Sequence, residues 1–277
     1  MTWNAVVAAL DDGDTFKSSV SLYLHPLAGR PVLWHALLAL AEMEELPASV
    51  RVLHRAASPL LVPDTFPVPL RLEPVNAGEE LIAMRAAVTP PGLTMLVDGA
   101  APLISPATIA RLLRAADRGV VALRAPGEDM ACAAVAGEGP ALASADDPRR
   151  PHGAASISAT APEEALLLTD RHAMAVAAMA IHDRLIRRHE AAGVSFVLPA
   201  TTWVDADVTI GADTVIYPGA VLEGHTAIGS ECVIGPYSRL ADAMLGRGVE
   251  LKGWNYVART SVRNHAVLEP YVRRGFD

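Results

Sequence analysis

The stretch WVDADVTIGADTVIYPGAVLEGHTAIGSECVIGPYSRL, Trp203 to Leu240, repeats itself every six residues. Val204, Ile210, Ile216, Leu222, Ile228, Ile234 and Leu240 are evenly spaced aliphatics, and Val208, Thr214, Ala220, Thr226, Cys232 and Ser238 between them are all small or β-branched. An amphipathic strand would alternate every second residue and break at irregular turns. A hexapeptide period instead winds the chain into a prism, with each aliphatic pointing into its core and each small residue filling the tight position beside it. The phase slips by one after Leu240, resumes through Leu245, Leu251 and Val257, slips again and finishes at Val262 and Leu268. About four coils of a left-handed parallel β-helix are expected, a form that departs from the right-handed rule for crossovers.

Upstream, the pattern alternates strands with helices. Val6–Leu10, Val50–Leu53, Val68–Leu72, Leu93–Val97 and Val120–Leu123 read as strands, and Pro31–Leu46, Glu79–Val88 and Pro106–Ala116 as helices. Such alternation predicts an α/β domain with a mostly parallel, Rossmann-like sheet covered by helices. Residues 127–162, rich in Ala, Gly, Pro and Asp, read as irregular, with one weak strand at Met130–Val135. A long helix from Pro162 to Ala192 follows, its arginines gathered toward the C-terminal half and Gly193 ending it. The expected organisation is an α/β domain over residues 1–198 that ends in this linker helix, then the β-helix over residues 199–277.

Composition narrows the function classes. The formal charge of −8 supplies no basic face for nucleic acid or an anionic membrane. Lys17 and Lys252 are the only lysines, which leaves few candidates for a catalytic ammonium. Cys132 and Cys232 stand far apart, with no grouping that suggests a disulfide framework or a zinc site. The expected setting is reducing and cytoplasmic, with no membrane-spanning run and no signal-peptide pattern.

In an open α/β sheet, ligands sit beyond the carboxyl ends of the strands. Two segments fall there: the loop Asp11-Asp12-Gly13-Asp14 after VVAAL, and the turn Asp98-Gly99 after Leu93–Val97. A strand and tight turn near the N-terminus is a place for phosphate, but three carboxylates in that loop repel one.

The α/β domain, the linker helix and the hexapeptide coils together resemble the bifunctional N-acetylglucosamine-1-phosphate uridylyltransferase/glucosamine-1-phosphate acetyltransferase family. The likeness is strongest from His189 to Leu240, where AAGVSFVLPATTW leads into the coils. LHPLAGRPVLWHAL (Leu24 to Leu37) and GAAPLISPATIARL (Gly99 to Leu112) are similar to segments of the family's first domain. The second of these, with VNAGEELIAM at Val75 to Met84, also resembles the methylerythritol phosphate cytidylyltransferases, which share the fold. The resemblance implies a residual ligand pocket at Leu10, Asp11, Asp12, Asn76, Gly78, Asp98 and Gly99.

Position by position, the chemistry implied by the family is missing. Asp12 and Asp14 stand where its phosphate loop has glycines, Phe16 where it has an arginine, and Leu22 where it has a lysine; only Thr15 of that loop is kept. Ala100 replaces one magnesium ligand, between the retained Gly99 and Pro102, and Thr169 replaces the other, ahead of Asp170-Arg171. Nucleotidyl transfer is catalysed mainly by neutralising charge on the transferring phosphoryl group, so these losses remove the means. The resemblance places the family's acetyltransferase site in coils later than Tyr271–Gly275, so that second activity is not expected of these residues.

The leading expectation is a degenerate, truncated relative that is non-catalytic or catalytically altered, requires no cofactor, and acts in assembly, regulation or partner binding. Two alternatives stand beside it. One is an active sugar-phosphate or alcohol-phosphate nucleotidyltransferase, taking Mg2+ with a nucleoside triphosphate at a relocated site built from Asp98 with Asp11. The other is a hexapeptide acyltransferase with His225 or His265 as general base. The resemblance also implies a homotrimer through the β-helix. Trp254 and Tyr256 break the polar outer pattern and are candidates for such an interface, for a protein partner, or for packing within the chain.

Overall fold

The computed structural model describes residues 2–11, 16–58, 60–88, 90–123 and 132–275. The chain divides into two compact units, residues 1–27 with 31–177, and residues 28–30 with 178–277.

The first unit is built on a seven-stranded sheet: β1 Trp3–Ala9, β2 Val50–Arg55, β3 Leu70–Val75, β4 Leu93–Asp98, β5 Val121–Leu123, β6 Ala134–Glu138 and β7 Ala155–Ile157. Its order is β3-β2-β1-β4-β6-β5-β7. All neighbours pair parallel except β6, which runs antiparallel to both β4 and β5. Strand β1 lies between β2 and β4 and is buried along almost its whole length, which explains its uninterrupted apolar run.

Helix α1 (Val32–Ala41) lays Val32, Leu33, Ala36, Leu37 and Leu40 into the core. It ends before Leu46, the end read from sequence. Pro47 disfavours helical backbone at the residue before it, and the indole of Trp3 ties down this segment by donating to the Glu45 carbonyl at 3.1 Å. Helix α2 spans Glu80–Val88. Helix α3 (Pro106–Ala115) starts where Ser105 caps it, the Ser105 hydroxyl accepting the Thr108 N–H at 3.2 Å with Pro106 in the first turn.

The segment read as irregular is ordered at its centre. It holds β6, the short helix α4 (Gly139–Ala143) and β7, and β6 is a central strand, not a weak one. Its start at Ala134 falls well inside the expected Met130–Val135, whose first residues lie outside those described. The small residues that mimic a loop reflect close packing: a Cβ on Gly139 would stand 2.1 Å from the Pro90 carbonyl oxygen. The long helix likewise begins later than expected. Residues Pro162–Ala165 form one 3-10 turn, Leu168 is tied to the sheet end by donating its N–H to the Ala100 carbonyl at 2.9 Å, and Asp170 then caps α5 (Arg171–Ala191) through the Ala173 N–H.

The second unit contains the rest of α5 and the coils. Each coil contributes one short strand to each of three parallel sheets, in the left-handed β-helix form that the hexapeptide period implies. Along the first face Val215 pairs with Val233 and Val233 with Glu250, so successive coils take eighteen residues and then seventeen. The slip after Leu240 is therefore a shortened corner, and the inward aliphatic column stays in register through Leu245 and Leu251. Ile186 from α5 and Val194 pack into the same core as the coil aliphatics. The last turns of the helix thus group with the coils, upstream of residue 199. Thr214, at full burial, donates to the Gly229 carbonyl at 2.9 Å and accepts the Cys232 N–H at 3.1 Å, so the small-residue column also joins successive coils by hydrogen bonds.

No helix of the described residues is long and apolar enough to cross a membrane.

Candidate functional site

The sheet of the first unit opens a cavity of about 530 Å3 beyond the carboxyl ends of β1, β2 and β4. Leu10 and Asp11 reach it from the end of β1, Arg55 from β2, Asp98 from β4, and Glu80 and Met84 from α2. Asp147, Arg149 and Arg150 line it from the loop before β7, and Leu167, Leu168 and Thr169 from the segment before α5.

Asp98 is the electrostatic centre. Removal from water pushes its carboxyl up from the ordinary value to about 6, against the Ala100 N–H, which donates to Oδ1 at 2.9 Å, and the nearby Arg149; Asp11 and Asp147 push in the same direction as burial. The Tyr23 hydroxyl accepts the Asp11 N–H at 3.0 Å. Burial, and then the charge of Asp98, raise the Tyr23 hydroxyl well above its usual range, so it stays protonated at neutral pH.

The loop carrying the two arginines is held in place. Arg85 donates to the carbonyls of Ala145 and Asp146, each at 2.9 Å, and the Arg149 carbonyl accepts the Cys132 N–H at 3.0 Å. Asp147 receives the Arg149 N–H at 2.9 Å and lies 3.4 Å from one of its terminal nitrogens. The Nε of Arg149 is buried and has no hydrogen-bond partner among the described residues. Arg55 forms an ion pair with Glu80, whose carboxylate also accepts the Gly78 N–H at 2.8 Å.

Among the residues singled out from sequence, Leu10, Asp11, Asp98, Ala100 and Thr169 come together on this cavity. Gly99 does not line it. It lies behind, donating to the Ala8 carbonyl at 2.8 Å, where a Cβ would stand 3.1 Å from the Tyr23 ring. Asn76 and Gly78 also fall outside the lining: they form the exposed turn before α2, Asn76 donating to Glu79 at 2.9 Å. Asp12 and Asp14, with Thr15, lie outside the described residues. Phe16 and Leu22 are each 1% exposed and belong to the core; Phe16 packs against His25 at a ring separation of 5.5 Å. The side chains at these two positions are consumed by packing.

Sequence reading missed Arg55, Arg149 and Arg150. The signal was present in DDPRR, Asp146 to Arg150, but it sat in a segment taken for irregular structure.

Magnesium does not fit at the positions that the family resemblance implies. The backbone tie from Leu168 to Ala100 sets Thr169 and Ala100 at one wall of the cavity, and neither offers a carboxylate. Among the described residues, no three His, Cys, Asp or Glu side chains converge as a metal site.

On the β-helix, His225 and His265 are both exposed but occupy different corners. His225 follows the corner glycine Gly224, whereas the His265 ring packs over Gly248. Trp254 stacks between Tyr237 and Tyr271 at 5.6 and 5.7 Å, a ladder up one corner in which all three residues take the left-handed backbone. Tyr256 lies on the adjoining face with the guanidinium groups of Arg239 and Arg273 at 5.3 and 5.9 Å from its ring centre. Both aromatics therefore have partners within the chain, and Trp254 remains 48% exposed.

This sheet order, with its cavity at the strand ends and a hexapeptide helix behind it in sequence, defines a nucleotidyltransferase-fold α/β domain joined to a left-handed β-helix. Residues 207–242 match the bacterial transferase hexapeptide (six repeats) family. The chain is similar to the GlmU proteins. It is 28% identical over an alignment 338 positions long, gaps included, to "Bifunctional protein GlmU" of Mycobacterium bovis (strain ATCC BAA-935 / AF2122/97), covering 98% of this chain and 68% of that one. It is 41% identical over 110 residues to "Bifunctional protein GlmU" of Geobacillus sp. (strain WCH70), covering 39% of this chain and 24% of the relative. The chain thus spans from about a quarter to about two thirds of the length of these relatives. In fold, a crystal structure of 4-diphosphocytidyl-2C-methyl-D-erythritol synthase superposes with a TM-score of 0.51 at 13% identity, over 65% of this chain and 98% of that one.

Proposed function

We propose that this GlmU-like chain does not carry out magnesium-dependent nucleotidyl transfer, and that its α/β domain serves as a ligand- or partner-responsive module in the same chain as a β-helical assembly domain. One observation carries the reading: Phe16 and Leu22, at the positions of the family's phosphate-neutralising arginine and lysine, are buried in the core, while Ala100 and Thr169 form the cavity wall at its metal-ligand positions. Without cations at those points, the charge developing on a transferring phosphoryl group goes unstabilised. Among the described residues of the lining, the carboxylates Asp11, Glu80, Asp98 and Asp147 further oppose a triphosphate. At about 4 Å, each like-charge contact costs roughly 4 kcal/mol at an effective surface dielectric.

Purified protein is to be incubated with each nucleoside triphosphate, magnesium and a panel of sugar and alcohol phosphates. No pyrophosphate is expected, and sustained release from any combination would overturn the proposal.

A second reading has one observation in its favour, because Asp11 and Asp98 face the same cavity and the charge of the first acts on the second. That pair would serve a relocated magnesium site. Calorimetry separates the two readings: the second requires nucleotide binding that depends on magnesium and is lost in Asp98→Asn. For the β-helix we propose homotrimer formation, supported by the hexapeptide match and by the exposed apolar side chains Val233, Met244 and Val267 on its faces. Light scattering showing a monomer at micromolar concentration would refute it.

A further inference from the structure

The cavity differs from a triphosphate site in the source of its positive charge. Its guanidinium groups come from the end of β2 and from the loop before β7, not from a loop after β1. Arg149 and Arg150 are adjacent on a loop whose backbone is fixed by Arg85 and by the Cys132 N–H, so the two residues are placed side by side before any ligand arrives. The buried Nε of Arg149 has no acceptor among the described residues and its terminal nitrogen stands 3.4 Å from Asp147, so the charge of this guanidinium is only partly met within the protein. Arg55 contributes less, because Glu80 already pairs with it. Opposite charge is offered by Asp11 and Asp98, which act as acceptors for a hydroxyl or an ammonium. Among the described residues of the lining, carboxylates outnumber guanidinium groups by one, a balance that favours a ligand of small net charge over a highly charged anion. The volume is that of a small-metabolite site.

We propose that this cavity binds, without any divalent cation, a small oxyanion that also carries an ammonium group, with the oxyanion on Arg149 and Arg150 and the ammonium on Asp11 and Asp98. The assignment deepens the non-catalytic reading and rests on it. Such a ligand neutralises both halves of the lining at once, which neither an isolated phosphate nor an isolated amine does. No bond is made or broken: the ligand is held, and its binding stabilises the α/β unit by mass action.

The test is calorimetric titration of the full chain with O-phosphoethanolamine and, separately, with β-alanine, both in the presence of EDTA, alongside inorganic phosphate and ethanolamine as half-ligands. Saturable binding of either zwitterion is expected, tighter than either half-ligand, and the stronger of the two identifies phosphate or carboxylate as the preferred oxyanion. Arg149→Gln should weaken it by about tenfold to a hundredfold, the usual effect of losing charge-assisted hydrogen bonds. Arg150→Gln, at a more exposed position, should weaken it less, and it provides a second variant should Arg149→Gln fold poorly. Thermal melting of the unliganded variants checks that they are folded. Absence of binding by both zwitterions, binding only with magnesium, or undiminished binding by folded variants at both positions would overturn the assignment. Pyrophosphate release with a nucleoside triphosphate would instead defeat the non-catalytic reading, so the two failures are told apart.

Discussion

Replacing Asp98 by asparagine should stabilise this protein in neutral and alkaline solution and leave it unchanged in acid. The native carboxyl titrates at about 6, above its ordinary value, chiefly because it has been removed from water. A carboxyl with a raised native value binds a proton more tightly folded than unfolded, so its penalty is absent below the unfolded value. Stability is then lost as pH rises from about 4 to about 6, and the loss is constant above that. Each pH unit between the two values is worth about 1.4 kcal/mol, giving an upper bound near 3 kcal/mol. The carboxyl borders an open cavity, so solvent screening reduces the expected gain to about 1–2 kcal/mol. Asparagine keeps an oxygen to accept the Ala100 N–H, so the turn at the end of β4 survives. Chemical denaturation of Asp98→Asn and the parent protein at about pH 8 and about pH 4 measures both ends of the effect. The expected gain corresponds to about 2–4 °C of melting temperature per kcal/mol. A variant that is no more stable at pH 8, or that gains equally at both values, would refute the argument that desolvation dominates this carboxyl.

The remaining predictions concern the β-helix. Thr214→Val keeps the shape of the side chain but strands the Cys232 N–H and the Gly229 carbonyl in the core; a loss of about 1–3 kcal/mol is expected in denaturation of the coils. A Cβ at Gly229 would lie 2.7 Å from the Gly246 carbonyl carbon, so Gly229→Ala should lower the melting temperature of the coils by more than Thr214→Val does, as followed by circular dichroism. Trp254→Ala removes the central ring of a three-ring stack and should cost about 1–3 kcal/mol from two lost ring contacts. If Trp254 also lies in a subunit interface, the same variant shifts the oligomer distribution in light scattering, a readout that loss of intrachain stacking alone does not move.

Legibility in the sequence followed burial geometry. The β-helix was readable because every inward position is used in the same way: Ile216, Ile234 and Leu251 occupy equivalent places in successive coils, so one local rule repeats and even its phase slips are visible. Strands β1 and β4 were readable as apolar runs because the interior of the sheet buries both of their faces. Strand β6 was legible only as a weak and misplaced strand because its AVAGE sequence looks like a loop, and only the folded chain shows the close packing at Gly137, where a Cβ would stand 3.1 Å from the Val120 side chain. The start of α5 was misplaced because Leu168 bonds to Ala100, a partner far away in sequence that no local propensity anticipates.

Local sequence therefore sufficed for the two architectures and for the substitutions at Phe16, Leu22, Ala100 and Thr169, since each of these is a matter of residue type at a position. What became of those substitutions depended on the folded chain. Phe16 and Leu22 could have pointed into the cavity as inert wall and are instead core, whereas Ala100 and Thr169 stand together on the cavity wall because a backbone hydrogen bond joins their segments. The three arginines of the cavity were in plain view as letters, but their convergence with Asp98 comes from the ends of β2 and β4 and the loop before β7 meeting in space. Charge at a site adds over distances in ångströms rather than in residues, and only the tertiary structure sets those distances.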